Sequence, residues 1–290
     1  MTSLADMQTH IEDRIRVAIN GYPALFQRIL AEWAAPDAGD CLWLMYAASY
    51  LFRGGSTRWA LDPLLLNQRV PAAPAVDITP LAGLDFVLLT HRHADHLDLN
   101  LIRALRDAPI RWVIPDAICA HVLEQTGLPR SRVIVPTPLQ TLDLGGVRVT
   151  AFDGLHWGEP LPGGGRRGMP ATGYLIECNG KRWLFPGDTR TYDAARLPDF
   201  GAVDGVMAHV WLGRAQALEP QPPLLEDFCR FCLDLHPRRL LLAHLHEFGR
   251  AADDYWDERH AAQVLARLQG LAPGLPARAV VMGERVALTI

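Results

Sequence analysis

The stretch 89-LTHRHADHLDLN-100 places three histidines and two aspartates within the eight residues from His91 to Asp98, directly after the apolar run Phe86-Val87-Leu88-Leu89. A solvated polar loop has little reason to adopt the order H-x-H-x-D-H behind a buried strand. In an extended segment, side chains at i and i+2 point to the same face, so His91 and His93 can grip one ion together. Asp95 and His96 fall where the chain turns into a helix and can face a second ion. Imidazole nitrogen with carboxylate oxygen is the donor set of zinc, and it also suits iron or manganese.

Outward from this stretch, short β and α patterns alternate, which favours an α/β layered domain. Residues 2–34 are expected to form one or two amphipathic helices, with Gly21-Tyr22-Pro23 as a break. CLWLMYAASYLFR and STRWALDPLLL form two apolar runs joined at Gly54-Gly55, a hairpin signal. The segment DLNLIRALR suggests a helix. RWVIP (strand), DAICAHVLEQTG (helix), RVIVP (strand) and a hairpin over TLDLGGVRVTAFDGLHW follow. TGYLIECNGKRWLFPGDT reads as a hairpin turning at Asn179-Gly180, and DGVMAHVWL and RRLLLAHLH read as strands. Residues 251–269 are expected to be helical, and ARAVVMGERVALTI to close the chain as a hairpin. The segment 158–170, GEPLPGGGRRGMP, is a glycine- and proline-rich loop that can cover a site.

The bulk numbers bound the partners. The 290 residues are 49% hydrophobic, enough for a sizeable core, and carry a net charge of −4 with no basic block. Nucleic acid is therefore not expected as a partner. Neither a signal-peptide pattern nor an apolar run near the ~18 residues of a membrane span is visible, so a cytoplasmic protein is expected. Five cysteines in so long a chain make no disulfide framework, and the Cys229-Arg230-Phe231-Cys232 pair reads as packing on an amphipathic helix.

The motif Thr90-His91-Arg92-His93-Ala94-Asp95-His96 resembles the signature of the metallo-β-lactamase superfamily. The resemblance covers roughly residues 42 to 290. It implies a four-layer αβ/βα sandwich with a binuclear metal site at one edge. Residues 1–40 would then be a helical extension and residues 41–290 the metallo-β-lactamase-like domain. The family expects a later histidine, an aspartate and a final histidine, and each has a counterpart here. His156 would complete the first site, and Asp188, in the Gly-Asp-Thr element, would bridge both ions. The last ligand is His244 or His246. His244 is preferred because it follows the apolar run directly, which leaves His246 to line the pocket as a catalytic or substrate contact. The metal ligands so implied are His91, His93, Asp95, His96, His156, Asp188 and His244, with Asp95, Asp188 and His246 in catalytic roles.

Several residues keep two readings. Asp62, before Pro63, is a turn residue or receives an N–H from a ligand histidine. Asp98 is a helix N-cap or does the same. His209 is a core histidine or reaches the pocket. Arg166, Arg167 and Arg190 are solvated charges or hold an anionic group of the substrate.

Within the superfamily, His93 stands where the flavodiiron branch has glutamate. Asp62-Pro63 with the histidine motif and Gly-Asp-Thr looks closest to the branch of ascorbate-6-phosphate lactonase and phospholipase D-like hydrolases. The resemblance implies a hydrolase in which two divalent ions, zinc before iron or manganese, share a hydroxide that attacks an ester, lactone or phosphodiester of a small molecule. A ligand-binding or regulatory protein, and an iron-dependent oxidative enzyme, are the rival readings. The N-terminal helices are expected to pack on the sandwich, and a homo-oligomeric contact through them stays open.

Overall fold

The computed structural model describes residues 3–36, 38–156 and 168–289. Arg166, Arg167 and most of the glycine-rich loop lie outside the described residues.

Two seven-stranded sheets stand face to face. The first contains β1 (Cys41–Tyr46), β2 (Ser49–Gly54), β3 (Thr57–Leu61), β4 (Phe86–Leu88), β5 (Arg111–Val113) and β6 (Val133–Ile134) in that order. The second contains β7 (Thr141–Asp143), β8 (Val147–Asp153), β9 (Thr172–Cys178), β10 (Lys181–Gly187), β11 (Gly205–His209), β12 (Leu240–Ala243) and β13 (Ala277–Ala279). β14 (Arg285–Ala287) returns to the first sheet and pairs with β1. Each sheet is antiparallel on one side and parallel on the other: β1-β2-β3 and β7-β8-β9-β10 are meanders, whereas β3-β4-β5-β6 and β10-β11-β12-β13 are parallel.

The parallel halves need crossovers, and helices supply several of them. They join α1 (Leu4–Ala34), which precedes the first strand, and the single turn α2 (Leu66–Arg69). α3 (Leu99–Leu105) and α4 (Asp116–Thr126) cover the first sheet, and α5 (Leu225–Asp234) and α6 (Glu258–Leu271) cover the second. Both faces of each sheet are thereby buried, which explains the near-continuous apolar strands. On the first sheet Leu42, Tyr50, Phe52 and Trp59 face inward, toward Tyr174, Trp183, Phe185 and Met207 of the second. Their neighbours Trp43, Leu51, Ala60 and Trp112 face outward, toward the helices. The result is the expected αβ/βα sandwich with an N-terminal helix.

Four local expectations are corrected. First, α1 is one helix, and Pro23 sits inside it. Its stripe Met7, Ile11, Ala18, Tyr22, Phe26, Ile29, Leu30 and Trp33 is buried from end to end, so packing on both sides of Pro23 holds the helix together. Second, the hairpin at Gly54-Gly55 is present as β2-β3, with Gly54 opposite Thr57, but its first run CLWLMYAASYLFR is itself a hairpin (β1-β2) turning at Ala47-Ala48. Third, the helix expected from 251 begins at Glu258: Asp257 caps it, accepting the Arg259 N–H at 3.0 Å, while Tyr255 and Trp256 are buried ahead of it. Fourth, the closing segment is no hairpin. β13 pairs with β12 and β14 with β1, and the Gly283 N–H donates to Leu44 O at 2.7 Å, so the chain crosses between sheets where a turn was expected.

Cys229 and Cys232 are buried on α5 as free thiols, as expected. No helix among the described residues is long and apolar enough to cross a membrane.

Candidate metal centre

The parallel strands carry their side-chain chemistry at their carboxyl ends, where open α/β sheets place ligands. β4 leads into Thr90 and His91, β10 into Asp188, and β12 into His244; β11 ends on His209, and His156 follows β8. Two donor groups result. One donor atom from each of His91, His93, His156 and Asp188 lies within 4.8 Å of the others. The same holds for His96, Asp188, His209 and His244. Asp188 belongs to both groups and is fully buried. Its Oδ1 is 3.1 Å from His244 Nδ1, 3.3 Å from His96 Nε2 and 2.9 Å from His209 Nδ1. Its Oδ2 is 2.8 Å from Arg190 and 3.9 Å from His156 Nε2.

The outer hydrogen bonds decide which ring nitrogens face the centre. An ionised carboxylate only accepts, so at 2.7 Å from Asp62 Oδ2 the His96 Nδ1 carries the proton and Nε2 offers its lone pair. Asp62 also accepts the Thr90 N–H at 2.8 Å and the Thr90 hydroxyl. With its proton on Asp62, the Thr90 oxygen accepts from His91 Nδ1–H at 2.9 Å, which frees His91 Nε2 for the centre. Such carboxylate–histidine pairs are the usual outer support of a metal site. Asp95 takes the same part for His244, accepting at 3.2 Å from its Nε2. His209 Nδ1–H donates to Asp188, and Tyr50 meets its Nε2 at 2.9 Å.

Buried donors are left over. His96 Nε2, His244 Nδ1 and both nitrogens of His156 have no hydrogen-bond partner among the described residues. Orphaned buried polar atoms are costly, and cations at the two donor groups would satisfy the lone pairs of His96, His244 and one nitrogen of His156. The donor set thus fits divalent metal ions.

Burial pushes His91 well below its ordinary value, and it takes His156 and His244 down to about 3. These imidazoles are neutral and ready to coordinate. His96 differs: burial opposes its charge, but Asp188 and Asp62 outweigh burial and raise it. Burial likewise opposes ionisation of Asp188, yet His244, Arg190 and His96 hold it well below the usual carboxylate range.

The other sequence candidates fall as follows. His244, not His246, stands among the donors. His246 is placed with Arg14 at 3.0 Å and Tyr255 at 2.9 Å. Asp95 also meets Arg250 at 3.2 Å. Asp98 caps α3, accepting the Leu101 N–H at 2.9 Å, and also accepts from Leu65. The sequence carries no sign of Tyr50, Arg69, Glu247, Trp211, Arg214 and Arg250, none of which sits in a recognisable motif; Thr90 stands in the histidine motif, but its part in orienting His91 is visible only in the fold.

A family model described as the beta-lactamase superfamily domain matches residues 57–245. The chain belongs to the beta-lactamase superfamily. The matched span holds every donor of both groups. A UPF0173 metal-dependent hydrolase from Cupriavidus metallidurans is 29% identical over 177 residues, 56% of this chain and 60% of that protein. The chain thus spans about 60% of the length of the curated relatives it matches first. Among solved structures, the metallo hydrolase Igni18 from Ignicoccus hospitalis superposes with a TM-score of 0.61 at 17% identity, covering 85% of this chain and 97% of that one. CmlA, a diiron beta-hydroxylase from Streptomyces venezuelae, gives 0.59 at 21%, covering 86% and 53%. At these identities the likeness is one of fold. It carries the superfamily sandwich across hydrolytic and oxidative proteins alike.

Proposed function

We propose that this beta-lactamase superfamily chain is a metal-dependent hydrolase that cleaves an ester, lactone or phosphodiester in a small molecule. The observation that carries this reading is the single buried carboxylate, Asp188, shared by two groups of imidazole donors, among which nitrogens of His96, His156 and His244 lack a hydrogen-bond partner among the described residues. His91, His93, His156 and Asp188 would hold one cation. His96, His244 and Asp188 would hold the other; Asp95, the fourth ligand that the family resemblance implies, stands outside both donor groups and accepts from His244 Nε2. When bound, a pair of divalent ions lowers the pKa of water toward 7 and polarises the oxygen of the bond under attack.

The chain's own groups do the rest. Asp62 and Thr90 fix the tautomers of His96 and His91. His209 and Arg190 hold both oxygens of Asp188 in place, and Asp188 stays ionised at neutral pH. Asp95 stays ionised as well: burial opposes this, but the bond from His244, with His96 and Arg250 nearby, outweighs it. The cavity beside the centre has a volume of 340 Å³, at the small end of the ~300–1,000 Å³ usual for ligand pockets, which suits a small substrate.

Elemental analysis of protein purified without chelator tests the reading, followed by a screen of lactones, esters and phosphodiesters. About two equivalents of zinc and turnover in that screen are expected, and Asp188→Ala should lose both. Iron as the main metal would transfer the site to oxidative chemistry. Less than half an equivalent of any transition metal, persisting after supplementation, would leave a ligand-binding protein.

A further inference from the structure

We propose that the substrate of this centre carries a carboxylate or phosphate group, read by Arg214 at the lip of the metal cavity together with Arg250 and Arg69. The inference rests on the hydrolase reading for the word substrate, but the anion site itself stands on separate observations. Four arginines line the cavity next to His93 and His156: Arg69, Arg190, Arg214 and Arg250.

Their existing partners rank them. Arg190 is committed to the centre, bonded to Asp188 at 2.8 Å and stacked 4.5 Å over the Trp211 ring. Arg69 forks onto Glu247 at 2.7 and 3.2 Å. Arg250 spreads over Asp95 at 3.2 Å, Asp254 at 3.4 Å, Glu247 at 3.7 Å and Asp188 at 3.8 Å. It is therefore shared rather than saturated. Arg214 is exposed and makes no ion pair among the described residues.

The charges around the cavity are four guanidiniums against the carboxylates of Asp95, Asp188, Glu247 and Asp254. The balance is even before any cation is counted. Divalent ions held by Asp188 and its neighbours would turn it positive. A cavity with a net positive wall and planar guanidinium forks attracts a carboxylate or a phosphate, because each fork can meet two of the anion's oxygens. Trp211 supplies one apolar wall, so the anionic group belongs to an organic molecule of modest size. This places anion recognition on Arg69, Arg214 and Arg250, which lie outside the glycine-rich segment to which the sequence pointed.

Calorimetry on the zinc-loaded full chain tests the site with glutarate, phenyl phosphate and the neutral diamide glutaramide. Glutarate or phenyl phosphate should bind at least 10-fold more tightly than glutaramide, and whichever binds better names the group. Arg214→Gln should weaken that anion about 10-fold, and Arg69→Gln with Arg214→Gln further, with zinc content unchanged. Anion binding equal in wild type and both variants would put the anion on the metal ions alone and overturn the proposal, as would no anion binding in wild type. Matched turnover separates the two readings. A 4-nitrophenyl hemisuccinate should exceed 4-nitrophenyl acetate in kcat/KM by 10-fold or more. Equal values would sink the anion site and keep the hydrolase. Arginine-dependent anion binding without hydrolysis of any ester would sink the hydrolase and keep the anion site.

Discussion

Asp62 shows how one residue organises the centre. It adopts a φ of +44°, an uncommon conformation for a residue with a side chain. Its N–H bonds Leu88 O at 2.9 Å, and its carboxylate collects Thr90 and His96. Such strain persists only where the surroundings over-determine it. Asp62→Asn keeps the volume but cannot accept from all three donors. It should weaken zinc affinity about 10–100-fold, measured by titrating the chelated protein against a zinc indicator; an unchanged affinity would make Asp62 a turn residue only. His209 acts on the other side of the centre. His209→Ala should weaken the second cation by a similar factor but retain it at saturating zinc, whereas His244→Ala should cap binding at one equivalent. The sequence pointed to Asp62 through Asp62-Pro63 and left His209 open, because the partners that decide the matter, Thr90 and Tyr50, are 28 and 159 residues away along the chain. The H-x-H-x-D-H stretch was readable because its ligands are local in sequence.

At the scale of elements, periodicity read well wherever one segment packs by itself. The Asn179-Gly180 hairpin is an example: both residues have positive φ, as its turn demands. Periodicity failed where a distant partner decides. β14 looks like half of a hairpin and instead completes the first sheet beside β1. Pro23 looks like a break, yet buried Tyr22 and Phe26 carry α1 through it. A proline inside a helix lacks one N–H and costs up to ~3 kcal/mol relative to alanine. Pro23→Ala should therefore stabilise the chain by about 1–3 kcal/mol, read as a rise in denaturation midpoint at constant m-value. A fall would mean that the proline ring, half-buried on α1, contributes more by packing than the missing hydrogen bond costs.

For the whole molecule, the centre is where the two sheets meet: His91, His93 and His96 follow a strand of the first, and His156, Asp188, His209 and His244 come from the second. Its protonation is thus linked to global stability. His91, His93, His156, His209 and His244 are all lowered, with burial the largest cause, and His156 and His244 reach about 3. In the unfolded chain each titrates near 6.5. A lowered histidine leaves stability intact above that value and costs it as pH falls toward the folded pKa, because the unfolded chain takes up protons that the fold refuses. For His156 and His244 the window is pH ~6.5 to about 3, with roughly 1 kcal/mol lost per pH unit for each. His96 runs the other way: its raised pKa gives stability that is present below ~6.5 and lost as pH rises through the folded value, so it offsets only part of the loss. Divalent ions bind the neutral nitrogens that the fold brings together, which adds stability by mass action and opposes protonation of His96. Chelated protein should accordingly unfold at a higher pH than zinc-supplemented protein in an acid titration followed by circular dichroism. The gap should widen with zinc concentration and close once acid protonates the ligands. Coincident curves at every zinc concentration would mean that these histidines hold no cation, and the metal-centre reading of the whole molecule would fall with them.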